Sequence, residues 1–169
     1  AILEERTRLA FIRRLADNVI DTTDLTVHEL RRAFTELSRG RSKVQLIVDL
    51  VSFGYKHGIP LESDLLLDVR FLPNPHFVPA LSQHTGRHRS VQRYVDGCDA
   101  TKLFLAKAAE LLRFLVPQYV QEGKSYLTIG VGCTGGRHRS VVVAERLRRR
   151  LTGLDGVRLR VKHRDISQE

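Results

Sequence analysis

The chain has 169 residues, and its 28 Lys and Arg against 19 Asp and Glu give a net charge of +9. That length suits one domain, and 42% hydrophobic with 28% charged residues excludes both wholesale disorder and a mini-protein held by staples. Apolar runs such as Leu65 to Leu67 and Val141 to Ala144 fall far short of the roughly 20 residues that a bilayer requires.

The opening AILEERTRLAFIRRL lacks a signal peptide's apolar core and an initiator Met, so the chain reads as a fragment. Cys98 and Cys133 make no disulfide framework and are expected as thiols in a reducing, cytoplasmic setting. Residues 1–84 carry 11 basic and 11 acidic side chains, whereas residues 85–169 carry 17 and 8. A basic second half can hold phosphates, on RNA or on a small ligand, because Arg and Lys attract polyanions. The plainer alternative is a solvated charged surface. Aromatic residues make up 7% and Trp is absent, which argues against a single-strand stacking platform.

Apolar residues at near-helical spacing predict an amphipathic helix over 3–16, followed by a short strand at Ala16–Asp21. Thr26 and Glu29 stand at capping-box spacing and open a second helix towards Ser38, with Gly40 as its terminator. From Lys43 the run VQLIVDLVSFG predicts a strand, and Leu65–Phe71 another. LPNPHFVP breaks regular structure. A long helix is expected over about 101–120, with a bend or an end near Pro117. Tyr126–Gly132 predicts a buried strand, SVVVAERLRRRL a helix, and the alternating VRLRVK of 157–162 an edge strand. Strands alternating with helices imply an α/β fold with a mainly parallel sheet flanked by helices. Ligands of such sheets sit at the carboxyl ends of strands, here Asp68–His76 and Cys133–Ser140.

GRHRSV occurs twice, at 86–91 and 136–141. Only the second copy follows an apolar strand and adjacent glycines, so the first is expected to be a basic turn. In Cys133-Thr134-Gly135-Gly136-Arg137-His138-Arg139-Ser140 the glycines permit the backbone angles of an anion nest at a helix N-terminus. The hydroxyls and the basic side chains add donors and charge. Phosphate is the expected ligand; the competing reading is an ordinary strand-to-helix turn. No GxxxxGK[ST] occurs, so nucleotide hydrolysis is not expected of this chain. Cys133 and Arg139 also stand at the CX5R[ST] spacing of cysteine-dependent phosphatases. Gly132 replaces those enzymes' usual His, and Asp68, Asp96 and Asp99 are general-acid candidates by type only.

In Asp68-Val69-Arg70-Phe71-Leu72-Pro73-Asn74-Pro75-His76, period two puts Asp68 and Arg70 on one side of a strand, with an amide and an imidazole in the turn beyond. A sugar could use all four; an internal ion pair with a rigid proline turn is the alternative. The histidines and cysteines show no metal-ligand spacing.

HGIP (57–60), DVRFLPNPH and GCTGGRHRSV, in that order, resemble the C-terminal domain of the RapZ/YvcJ family of bacterial nucleotide-binding and RNase adapter proteins. DTTDLTVHELR resembles the segment that closes that family's N-terminal domain. The resemblance implies that residues 1–39 are the remnant of a P-loop kinase-like domain. Residues 40–169 would be a phosphosugar-sensing, RNA-binding domain, similar in fold to a phosphofructokinase subdomain. ATP or GTP would bind only the missing domain, and this chain would have no cofactor and no catalytic residue. The resemblance further implies that Cys133 to Ser140 hold the phosphate of a phosphorylated amino sugar such as glucosamine-6-phosphate. His57, Asp68, Arg70, Asn74 and His76 would lie on the sugar side. Lys56, Arg148, Arg149, Arg150, Lys162 and Arg164 would contact a structured small RNA. RNase E or another regulatory protein is the implied partner, and a homodimer or tetramer the implied assembly. Adapter-type members end in a lysine-rich tail, whereas here His163-Arg164-Asp165 is followed by Ile166-Ser167-Gln168-Glu169. A phosphosugar or sugar-nucleotide sensor without RNA is the alternative within the same family.

Overall fold

The computed structural model describes residues 2–38 and 46–168, and the chain divides into two compact units between residues 42 and 43. The first unit holds helices α1 (Ile2–Leu15) and α2 (Val27–Ser38). The capping box forms as its spacing predicts. Glu29 N–H donates to Thr26 Oγ1 at 3.3 Å, and the Glu29 carboxylate accepts the Thr26 N–H and hydroxyl at 2.8 and 2.7 Å. The strand expected at Ala16–Asp21 does not form. The segment is irregular, and the Asp21 carboxylate accepts the N–H and hydroxyl of Thr23, turning the chain locally instead of pairing it. Gly40 and the predicted strand start at 43–45 lie outside the described residues.

The second unit is built on a four-stranded parallel sheet in the order β2–β3–β1–β4, with β1 Leu46–Gly54, β2 Leu65–Asp68, β3 Tyr126–Cys133 and β4 Val157–His163. Helices α3 (Pro79–Ser82), α4 (Arg89–Asp96) and α5 (Asp99–Glu122) connect β2 to β3, and α6 (Arg139–Leu151) connects β3 to β4. Alternate residues of β1 and β3, among them Leu46, Val48, Leu50, Leu127, Ile129 and Val131, share a core with the apolar stripes of α5 and α6. Each fully buried side chain of this kind stabilises the fold by roughly 1.5–3 kcal/mol.

Two further expectations change. Strand β2 stops at Asp68, because the chain turns at Val69–Leu72, where Leu72 N–H donates to Val69 O at 3.2 Å. Helix α5 runs through Pro117 and ends at Gly123, whose φ of +87° is the left-handed conformation that stops helices. Pro117 lies in the last two turns, so its missing N–H costs the helix only one late bond. Among the described residues no helix is long and apolar enough to cross a membrane, and no group of His, Cys, Asp or Glu is placed to hold a metal ion.

Candidate functional site

Strand register brings the two long motifs together. Gly54 pairs with Cys133 and Asp68 with Gly132, so the carboxyl ends of β1, β2 and β3 lie level with one another. The loop from Cys133 to His138 leaves this edge and enters α6 at Arg139. Neighbouring backbone holds it: Val69 N–H donates to Gly132 O at 2.9 Å, Lys56 N–H to Thr134 O at 3.1 Å, and Gly86 N–H to Arg137 O at 2.8 Å. Gly136 has φ +77°, and a Cβ there would lie 2.7 Å from both the Gly54 nitrogen and Asp165 Cβ, so only glycine fits.

Arg139 links the loop to the DVRFLPNPH run. It is buried, and its guanidinium donates to Arg70 O at 2.5 Å, Leu72 O at 3.1 Å and Thr134 Oγ1 at 3.2 Å. Cys133 Sγ lies against the loop, accepting Gly136 N–H at 3.3 Å and sitting 3.2 Å from Ser140 Oγ. Arg137 Nε and Arg139 Nε are buried without a hydrogen-bond partner, and the His138 ring between them faces the backbone of Ser82 and His84. Buried polar groups are ordinarily satisfied, so these atoms are the loop's unspent hydrogen-bonding capacity. Burial pushes the His138 imidazole below its ordinary value; hydrogen bonds to the backbone of Ser82 and His84 oppose this, and the Arg137 charge adds to it.

Asp68 and Arg70 do meet, although not across a strand. The turn after β2 lets the Asp68 carboxylate accept both the backbone N–H and the guanidinium of Arg70 at 2.7–3.1 Å. Those Arg70 hydrogen bonds hold the Asp68 carboxyl below the usual range. Arg70 also stacks 4.1 Å above the ring of Tyr55, an edge residue that sequence reasoning passed over. Asn74 caps the proline turn by accepting His76 N–H at 3.3 Å, and His76 acts electrostatically on His138. His57 ends a one-turn 3-10 helix beside the same edge.

The first GRHRSV copy is not merely a basic turn. Arg89 begins α4, His88 accepts Ser90 N–H at 3.4 Å as its cap, and a Cβ at Gly86 would lie 2.4 Å from His138 O. The two copies pack against each other, which explains the glycine at the start of the first.

The RNA-assigned residues separate into two groups. Lys56 belongs with the loop: its backbone bonds Thr134, and its Cε comes 3.7 Å from where a Gly135 Cβ would stand. Arg164 lies on the same side, its guanidinium 2.6 Å from Gly58 O and 2.8–2.9 Å from the Asp165 carboxylate. Arg148, Arg149 and Arg150 are exposed at the far end of α6, about 15 Å from Arg139 at 1.5 Å per residue. Arg149 and Arg150 line a groove of about 590 Å³ with Arg113, Glu110 and Ala106. Lys162 projects from β4.

His163 is nearly inaccessible, with Ser52 Oγ 2.8 Å from Nδ1 and Glu145 Oε1 3.2 Å from Nε2. Burial lowers its pKa and the nearby Arg87 charge adds to this, while Glu145 opposes it. The unfolded chain therefore binds this proton near 6.5 and the folded chain only at lower pH, so the associated stability is present above about 6.5 and is lost as pH falls through the folded value. Urea midpoints are expected to drop between pH 7.5 and 5.5, less so in His163→Gln; an identical slope in that variant would place the titration elsewhere.

A family model described as the RapZ C-terminal domain matches residues 46–167. The chain belongs to the RapZ family. It is 50% identical over 165 residues to a nucleotide-binding protein of Moorella thermoacetica, covering 98% of this chain and 54% of that one. It is 54% identical over 162 residues to a nucleotide-binding protein of Geobacter sulfurreducens, covering 95% and 56%. A nucleotide-binding protein of Acidobacterium capsulatum is 47% identical over 167 residues, covering 98% and 54%. The chain thus spans about half the length of these curated relatives.

Proposed function

We propose that the second unit senses a phosphorylated amino sugar of the glucosamine-6-phosphate type and binds structured RNA, as the regulatory half of a nucleotide-binding RNase adapter in the cytoplasm. The observation that carries this reading is the pair of unpartnered buried guanidinium nitrogens, Arg137 Nε and Arg139 Nε, in a glycine-containing loop at the start of α6. An anion there would accept hydrogen bonds that the protein leaves unmade. Asp68, Arg70, Asn74, His76 and His57, on the turns beside the loop, supply polar partners for sugar hydroxyls and an amino group. Arg148, Arg149 and Arg150, with Lys162, supply the charge for an RNA backbone. A P-loop domain outside this chain would carry ATP or GTP. RNase E or another regulatory protein would be the partner of a homodimer or tetramer.

The phosphatase reading draws on the donors around Cys133 Sγ, but Cys133 is 2% exposed and faces Ser140 and Gly136 rather than an open cleft. Asp96 and Asp99 are engaged with Arg146 and Lys102. Wild-type protein is expected to turn over no phosphoester.

A labelled structured RNA titrated with the chain at low and physiological salt, with and without glucosamine-6-phosphate, tests the proposal. Binding that weakens with salt and changes with the sugar supports a sensor that handles RNA. Sugar binding with no RNA binding at low salt leaves the sensor without RNA, and binding of neither removes the reading.

A further inference from the structure

Arg164 and Asp165 stand behind the anion loop. The Gly54–Gly58 turn is bonded both to the loop and to this pair. On the loop side, Lys56 N–H donates to Thr134 O, and a Cβ at Gly54 would lie 2.5 Å from the Gly135 carbonyl carbon. On the other side, Asp165 Oδ2 accepts Gly54 N–H at 2.7 Å. Arg164 Nη2 donates to Gly58 O at 2.6 Å and His57 O at 3.3 Å, while the same guanidinium pairs with Asp165. Asp165 also touches the loop directly, since a Cβ on Gly136 would meet its own Cβ at 2.7 Å.

Asp165 is 4% exposed, and a buried carboxylate bonded to a backbone N–H fixes that backbone, because moving away would orphan the donor in a medium of low dielectric. Burial opposes its ionisation, but Arg164 and the Gly54 N–H outweigh this and hold the carboxyl below its ordinary value.

We infer that Arg164 and Asp165 are positioning residues of the anion loop, setting the Gly54–Gly58 turn against Gly135 and Gly136 and so coupling the end of strand β4 to anion binding. The binding half of this statement rests on the phosphate reading above. Coupling is reciprocal: an anion in the loop steadies the turn and its Asp165 clamp, and whatever disturbs the clamp weakens the anion.

The test uses the 169-residue chain with Asp165→Ala, Asp165→Asn and, as a control on the same strand, Arg160→Ala, whose side chain pairs with Asp49. Two readouts are taken: the amide chemical shifts of Gly135 and Gly136 without ligand, and the calorimetric affinity for glucosamine-6-phosphate. Asp165→Ala is expected to move both glycine amides while those of α5 stay in place, and to weaken the sugar about tenfold. Asp165→Asn keeps an oxygen for Gly54 N–H and recovers part of the loss; Arg160→Ala matches wild type. A folded Asp165→Ala with unmoved glycine amides and unchanged affinity overturns the inference. Should Asp165→Ala not fold, Asp165→Asn decides by the same readouts, with wild-type shifts and affinity counting against it. If wild type binds no glucosamine-6-phosphate, the phosphate reading alone fails, and the glycine amides still decide whether Asp165 positions the loop.

Discussion

Replacing Arg139 by alanine is expected to remove glucosamine-6-phosphate binding to below a hundredth of the wild-type affinity and to destabilise the second unit by about 2–4 kcal/mol. Both effects have one source. The guanidinium is buried, ties the loop to the turn after β2 through Arg70 O, Leu72 O and Thr134 Oγ1, and retains an unpartnered Nε. Alanine takes this donor from the part-buried Arg70 carbonyl and the buried Leu72 carbonyl, and it removes a positive charge from the proposed phosphate position. Arg139→Lys keeps the charge but cannot reach three acceptors with a planar fork, so it should recover only part of either loss. Arg150→Ala lies on the exposed last turn of α6 and is expected to change stability by no more than about 0.5 kcal/mol and the sugar affinity not at all. Calorimetry and urea unfolding on the same preparations check this; equal losses in the two alanine variants would move the pocket away from the loop.

Gly136→Ala is expected to destabilise the second unit by about 2–4 kcal/mol. The backbone angle of +77° disfavours any L side chain, and the new methyl would press on the Gly54 nitrogen and Asp165 Cβ at 2.7 Å. Neither neighbour can rotate away, because one is backbone and the other is held by Arg164 and the Gly54 N–H. Gly135→Ala supplies the contrast. A Cβ there meets only the Lys56 side chain, at 3.7 Å, so the fold should tolerate it. The midpoint of urea unfolding reads the difference, and similar midpoints for the two variants would mean that the loop is not wedged against Gly54 as described.

Much of this was legible in the residues, for identifiable reasons. The apolar runs of β1 and β3 and the stripe of α5 follow burial, and burial is written into composition along the chain. The loop was legible because glycines, hydroxyls and cations are crowded between a strand and a helix. What could not be read was register: nothing local says that Gly54 stands beside Cys133, and so Gly54, Tyr55 and the loop-side place of Lys56 went unnoticed. The signal available was the carboxyl end of β1, which belongs to the ligand edge as much as the ends of β2 and β3 do. The resemblance assigns Arg164 to RNA; its backbone partners, the carbonyls of His57 and Gly58, lie more than a hundred residues away in the chain, where no local pattern points to them. At Ala16–Asp21 six residues of mixed polarity carry little periodicity, and a side-chain turn at Asp21 takes the place of a strand. The Asp68–Arg70 pair was anticipated for the wrong reason, since a turn rather than strand alternation brings the two together.

The central claim is that the loop at the start of α6 recognises the phosphate of an amino sugar. Calorimetric titration of the chain with glucosamine-6-phosphate and, separately, with glucosamine tests it most directly. Saturable binding of the phosphorylated sugar, no measurable binding of glucosamine, and loss of the first in Arg139→Ala are expected. Equal binding of both sugars, or phosphosugar binding that survives Arg139→Ala unchanged, would contradict it.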